Sequence, residues 1–317
     1  MPQQKFFITG ATGYVGSVVT SFAVQAGHDV RGLSRHEKGD ALLESLGATP
    51  VRGDLTTFDI LSAESAKADV VLHLAFDHNF TQPFEQIIKL DADAVEALAT
   101  PLIGTNKPLV TTGGTAMVVA DPNHGETDET APFRETVIPR HRAEQNSLSW
   151  AEKGVRVTSI RLPQYVYGRA TEHGFAAQLI KLAVQTGESA YIGDGEYYAS
   201  TVYVDDAARL YFEVAAKAGA GEIFNGTGCT TTTYKALATS IGKLLDVPVK
   251  SLSEEEAVAK WGPFLAGFVG LSNRSSNRKA VEQLGWQPVG PDLLEEIETG
   301  SYVSVAKKFR EEAAGEA

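Results

Sequence analysis

The sequence predicts an α/β fold, a doubly wound parallel sheet followed by a smaller C-terminal α+β lobe, and two observations lead to it. Short apolar runs alternate with helix-period segments through the first half of the chain. One of them, Val70-Val71-Leu72-His73-Leu74-Ala75, is continuous in apolar character, as a strand covered on both faces should be. Strand, helix, strand repetition of this kind implies parallel pairing with helices on both sides. The character then changes after Pro163, where Gly, Tyr and polar residues become dense, as in Gly193-Asp194-Gly195-Glu196-Tyr197-Tyr198.

Taken in order, residues 5–9 read as a buried strand whose Phe6, Phe7 and Ile8 run straight into a glycine loop. Residues 16–26 carry apolar positions at helical spacing. A strand at 29–34, a short helix at 41–46 and a strand at 49–52 follow, then the strand at 70–75, a helix at 84–98 and a fifth strand at 108–112. A helix over 138–153 is entered through Pro139 and stopped by Gly154, and a sixth strand occupies 155–162. The first domain is therefore placed at 1–163 and the smaller lobe at 164–317. Within the latter, helices are expected at 175–185, 205–215 and 234–245 and a strand at 222–225. The segment 202–225 is expected to return and complete the first domain. Asp205-Asp206 reads as the acidic start of a helix, and Glu254-Glu255-Glu256 as a helix start capped by Ser253.

Composition narrows the functional classes. The 317 residues are 43% apolar and 21% charged, with a formal net charge of -12. That balance argues against a nucleic-acid surface, which needs clustered Lys and Arg; the expected partner is a small molecule. A single cysteine, Cys229, allows no intrachain disulfide and reads as a free structural thiol. No run approaches the ~18 apolar residues of a membrane span. The N-terminus lacks the pattern of a signal peptide, so a cytoplasmic location is the expectation. The acidic tail 311–317 is expected to fray. The histidines show no metal-ligand spacing and no Gly-x-Ser-x-Gly elbow occurs, so no metal site and no hydrolase triad is expected.

The strongest local signal is Thr9-Gly10-Ala11-Thr12-Gly13-Tyr14-Val15-Gly16. Glycines spaced GxxGxxG directly after a strand and before a helix make a Rossmann-type dinucleotide loop. Gly10 permits the turn, Gly13 lets backbone approach the pyrophosphate, and Gly16 lets the helix pack close. The pyrophosphate then meets the free N–H groups of a helix beginning near Tyr14. At the end of the second strand, where NAD binders place an acid for the ribose 2′-hydroxyl, Ser34 and Arg35 stand instead. A guanidinium suits a 2′-phosphate, so the expected cofactor is NADP. Asp54 and Leu55 could meet the adenine, with a plain turn aspartate as the alternative. Leu74, Ala75 and Phe76 should face the cofactor's ribose.

With these pieces assembled, the chain resembles the extended short-chain dehydrogenase/reductase superfamily, in its epimerase/dehydratase-like branch. The matching segments are residues 9–17, Arg52-Gly53-Asp54-Leu55, His73-Leu74-Ala75-Phe76, residues 161–168 and residues 202–211. The resemblance implies a Rossmann domain, a smaller substrate lobe and homodimerisation. It also implies a catalytic Ser or Thr after the fifth strand and a Tyr-x-x-x-Lys on the next helix. The tyrosine there exchanges a proton with the substrate oxygen, and the lysine lowers its pKa and holds the nicotinamide ribose. Thr112 is the nearest stand-in for the serine and Thr115 the second, with Thr111 beside the cofactor. By register with the family's lysine-alanine-glutamate, Arg142 stands at the lysine and Ile138 at the tyrosine, so the usual proton relay is missing. Tyr165, Tyr167, His141 and His173 are the candidates for a replacement donor, Tyr165 first because it follows the sixth strand. Tyr191, Tyr197, Tyr198 and Tyr203 could line an apolar cleft or simply pack. The expectation is an NADPH-dependent oxidoreductase of a small, fairly apolar carbonyl or hydroxy compound. An epimerase, dehydratase or isomerase without net redox, or a non-enzymatic NADP(H) sensor, are the alternatives.

Overall fold

The computed structural model describes residues 2–79, 81–135 and 139–315. Six strands of the first lobe, β1 (Lys5–Thr9), β2 (Asp29–Ser34), β3 (Thr49–Arg52), β4 (Val70–His73), β5 (Pro108–Gly114) and β6 (Arg156–Leu162), are joined by crossover helices. These are α1 (Tyr14–Gln25), α2 (Glu37–Ser45), α3 (Phe58–Lys67), α4 (Phe84–Ala99) and α5 (Arg140–Leu148). Beyond them come β7 (Tyr165–Tyr167), α6 (Phe175–Thr186), β8 (Ser189–Ile192), β9 (Tyr198–Tyr203), α7 (Val204–Lys217), β10 (Glu222–Asn225) and β11 (Cys229–Thr233). The chain ends with α8 (Tyr234–Leu245), β12 (Val249–Leu252), α9 (Glu254–Val269), α10 (Leu293–Glu298) and α11 (Tyr302–Gly315).

The main sheet has seven strands in the order β10-β6-β5-β4-β1-β2-β3, every neighbouring pair parallel. Its side chains alternate between two cores, as strand geometry demands. Phe6, Ile8, Val70, Leu72, Val110 and Ile160 pack under α1 and α7. Phe7, Val71, Leu109 and Val157 pack on the other face against Leu61 of α3 and Val95 and Leu98 of α4. The sheet order reverses between β1 and β4, and a crevice at the carboxyl ends of such a pair is where ligands bind in this architecture.

The smaller lobe has its own core, built from α6, α8, α11 and the sheet β11-β9-β7. The chain crosses back twice. α7 and β10 join the first lobe, and Ala280, Leu284 and Trp286 join the same core against α7. Trp286 Nε1 donates to the Asp206 carbonyl at 3.0 Å.

Several elements differ from the sequence reading. α1 does begin at Tyr14, where the glycine loop was expected to feed into it, and the apolar spacing read over 16–26 lies within it up to Gln25. β4 ends at His73 rather than 75. α3 went unread, although parallel β3 and β4 require a crossover between them. The helix expected at 138–153 is α5 up to Leu148 followed by a tighter turn at Ser149–Lys153, ending on Gly154 at φ +83°. Ser253 forms a full capping box with Glu256 at the start of α9. α9 then kinks at Gly262 before Pro263.

Candidate active site

The glycine loop closes the crevice at the switch point. Gly10 has φ +70°, and a Cβ there would lie 2.7 Å from the Ala75 nitrogen, so only glycine lets β1 and β4 converge here. A Cβ on Gly16 would lie 2.0 Å from the Gly10 carbonyl oxygen. Gly13 caps α1 with no side-chain acceptor and no acid sits in the first turn. The N–H groups of this turn are thus left for an exogenous anion. Thr12 and Gly13 are exposed, while Tyr14 and Val15 are half-buried. The Tyr14 hydroxyl donates to the Gly168 carbonyl at 2.9 Å. This cradle and its unfilled helix end fit the pyrophosphate of a dinucleotide. Beside it lies a cavity of about 470 Å³ bordered by Thr12, Gly13, Arg169, Glu172 and His173.

At the end of β2, Ser34 is buried and its Oγ donates to the His36 carbonyl at 3.1 Å. A Cβ on Gly39 would come within 2.5 Å of Ser34 Oγ and 3.1 Å of Thr12 Cγ2, so the first turn of α2, Ser34 and the glycine loop meet at one point. Arg35 is exposed, and among the described residues its guanidinium has no ion-pair partner, whereas the neighbouring Arg52 pairs with Asp40. Asp54 Oδ1 accepts from the Thr56 backbone at 2.8 Å and the Thr56 hydroxyl at 2.6 Å. These bonds hold its carboxyl below the usual carboxylate range, and that oxygen belongs to a turn. Leu55 is half-buried beside it.

At the ends of β4 and β5 the hydroxyls are already committed. Thr9 Oγ1 lies 2.7 Å from His73 Nδ1, and His73 Nε2 lies 3.4 Å from Asp91, a buried chain tying β1, β4 and α4 together. Leu74 and Ala75 continue β4 by donating to Thr9, at 3.1 Å to its carbonyl and 3.3 Å to its hydroxyl. Thr112 Oγ1 donates to the His73 carbonyl at 3.0 Å and meets the Tyr211 hydroxyl at 2.8 Å, which must then be the donor. Burial pushes the Tyr211 phenol well above its ordinary value. Thr112 therefore latches β4, β5 and α7 together and has no free proton to offer a substrate. Thr111, expected beside the cofactor, is buried with its hydroxyl on the Thr158 carbonyl at 3.2 Å. Thr115 is buried and its hydroxyl donates to Asn273 Oδ1 at 2.7 Å, while Asn273 Nδ2 returns a bond to the Thr115 carbonyl at 3.1 Å.

The candidate proton donors disperse. Tyr165 is sealed in the core of the smaller lobe among Phe175, Tyr234 and Phe268, and burial raises its pKa well above the ordinary value. It is a packing residue, because a substrate has no access to it. Tyr167 is equally buried, with its hydroxyl on the Pro291 carbonyl at 2.6 Å. His141 stacks on Phe133 at 4.9 Å, and His173 is exposed at the rim of the cavity beside the glycine loop. The four tyrosines of the second lobe form no single cleft. Tyr203 packs on Tyr167, Tyr198 lies under Arg274, Tyr191 sits against the second core and Tyr197 is exposed. Among the described residues no cluster could hold a metal ion.

α5 carries the largest correction. Glu144 is buried with Ser159 Oγ at 2.7 Å and Arg161 Nη2 at 2.6 Å, which fixes the face of α5 turned to the sheet. Positions four apart share a helix face, so Arg140 lies on that face and Arg142 does not. Arg142 instead pairs with Glu85 at 2.5 Å on the surface. It is not brought to the crevice, so it holds no place in the ribose site expected of it. Ile138 lies outside the described residues. Arg140, which sequence reasoning passed over, turns inward. Its Nη2 donates to the Thr112 carbonyl at 3.1 Å, and its guanidinium carbon lies 3.2 Å from the centre of the Phe76 ring. The signal that could have found it is the four-residue step to Glu144.

Residues 6–225 match the NAD dependent epimerase/dehydratase family. An uncharacterised protein of Schizosaccharomyces pombe is 37% identical over 298 residues, 94% of this chain and 99% of that protein. A 4-hydroxy-2-methyl-3-oxo-4-farnesyl-3,4-dihydroquinoline-1-oxide ketoreductase of Stigmatella aurantiaca is 26% identical over 228 residues, covering 69% of this chain and 67% of the ketoreductase. Among solved structures, the dTDP-glucose 4,6-dehydratase of Streptomyces venezuelae with NAD bound superposes with a TM-score of 0.75 at 16% identity, over 97% of this chain and 98% of that one.

Proposed function

From the premise that this chain belongs to the NAD-dependent epimerase/dehydratase family, within the extended short-chain dehydrogenase/reductase superfamily, we propose that it is an NADP(H)-dependent oxidoreductase of a small carbonyl or hydroxy compound. The observation that carries the cofactor choice is Arg35. It is an exposed guanidinium with no carboxylate partner among the described residues, beside Ser34, at the strand end where an acid would otherwise select NAD. The bound nicotinamide would supply or accept a hydride. The chain's own contribution is placement. The glycine loop and the first turn of α1 would hold the pyrophosphate, Ser34 and Arg35 would hold the 2′-phosphate, and Leu74, Ala75 and Phe76 beyond β4 would face the ribose next to the nicotinamide. The resemblance of the ketoreductase noted above supports net reduction.

Arg35→Ala should weaken NADPH at least tenfold more than NADH, about 1.4 kcal/mol, in calorimetric titration of the purified chain. Equal losses for the two would remove the NADP reading. NADPH binding without NADPH oxidation across a broad carbonyl panel would remove net reduction. A second reading, epimerisation or dehydration without net redox, is favoured by one observation. The family model matched over residues 6–225 is that of NAD dependent epimerases and dehydratases. This reading predicts substrate conversion with no net change in NADPH absorbance.

A further inference from the structure

Arg140 is a half-buried cation with no ion-pair partner among the described residues. A guanidinium has five N–H donors in a rigid plane, and here a single bond, to the Thr112 carbonyl, is made within the described chain. One face is covered by Phe76 at 3.2 Å. No carboxylate of the described residues reaches ion-pair distance, although Asp91 and Glu144 are near enough to act on it through space. Desolvation pushes its pKa down to about 10, which marks a charged group held without its usual partners. The side chain is nevertheless partly open to solvent, so a ligand can reach it. Six residues earlier on the same connection, Arg134 is half-buried, and its Nε is buried with no hydrogen-bond partner among the described residues. In a chain of net charge -12, a half-buried guanidinium with no ion-pair partner among the described residues is a local reversal of sign. Such a reversal favours an incoming anion.

We propose that Arg140 is the receptor for a carboxylate on the substrate, so that the compound acted upon is an oxo acid or hydroxy acid rather than a neutral ketone or alcohol. Thr112 holds one edge of the guanidinium and Phe76 covers one face, leaving in-plane N–H pairs that match the two oxygens of a planar carboxylate. The position beside Phe76 sets that carboxylate next to where the reading above puts the nicotinamide. The reaction assigned to the acid rests on that reading, but its binding does not.

The test is modification of the whole chain with phenylglyoxal, followed residue by residue by peptide mass spectrometry, with and without NADP. Arg142, surface-exposed and paired with Glu85, is the internal control. The probes are 2-oxobutyrate, 3-oxobutyrate, their methyl esters and inorganic phosphate. At least one oxo acid should slow modification of Arg140 tenfold or more, with its ester slowing it less than twofold and Arg142 unaffected. Equal effects of acids and esters, or no effect of either, would overturn the proposal. Stronger protection by phosphate would overturn it in favour of a phosphorylated ligand. Full protection by NADP alone, with nothing added by the acids, would make Arg140 a cofactor contact instead. Failure of the NADP(H) reading shows separately, as absent cofactor binding in calorimetry, because protection by the acid is also read in cofactor-free protein.

Discussion

Arg140 and Arg142 stand two positions apart and meet opposite environments, one turned onto Phe76 and the Thr112 carbonyl, the other paired with Glu85 at the surface. Spacing along the chain proposed Arg142. What it could not see is that Glu144 dives under α5 to Arg161, and that this buried pair sets which helix face looks at the sheet. Thr112 carries the same lesson. Its place at the expected end of the fifth strand was legible, although β5 runs on to Gly114, but the partner that occupies its hydroxyl, Tyr211, is 99 residues away. Thr112→Val should therefore act on stability. It leaves a buried Tyr211 hydroxyl without its acceptor, at a cost of about 1–3 kcal/mol in urea unfolding, and Thr112→Ser should recover most of it. A catalytic role would instead show as a lost rate at unchanged stability.

At the level of elements, signals confined to a few neighbouring residues read well. The glycine loop, the Gly154 stop and the Ser253 capping box were all visible because each depends on contacts within about one helical turn. Ser253→Ala should lower stability by about 0.5–2 kcal/mol, seen as a shifted urea midpoint at unchanged slope. A midpoint unmoved by the change would mean α9 does not need its cap. Elements whose identity depends on distant partners were harder to read. α3 has a weak apolar face and is a helix because two parallel strands must be bridged. The short strands β7, β9 and β11 exist only through one another, in a sheet whose members lie tens of residues apart in sequence.

For the whole molecule, the parallel sheet followed from alternation alone, and the return of 222–225 places β10 against β6 as the seventh strand. The second return was invisible, because nothing in the run Ala280–Trp286 says which of two cores it will fill; the structure puts Ala280, Leu284 and Trp286 against α7 in the core of the first lobe. A fragment ending at residue 163 would therefore lack α7, β10 and Trp286, and would leave Val18, Val19 and Ile160 uncovered. It should show no cooperative thermal transition by circular dichroism, while the full chain melts sharply. A cooperative transition in the fragment would show that the first lobe stands without these returns.

The bond pair between Thr115 and Asn273 spans the gap between the lobes, right behind the strand end that faces the crevice. Swinging the smaller lobe outward would strand a hydroxyl, an amide and a carbonyl at once, about 1–3 kcal/mol for the first of them alone. Any opening wide enough to break that clasp is thus disfavoured roughly tenfold or more. Ligands are then expected to enter and leave with that clasp closed, not by the two halves parting like a book.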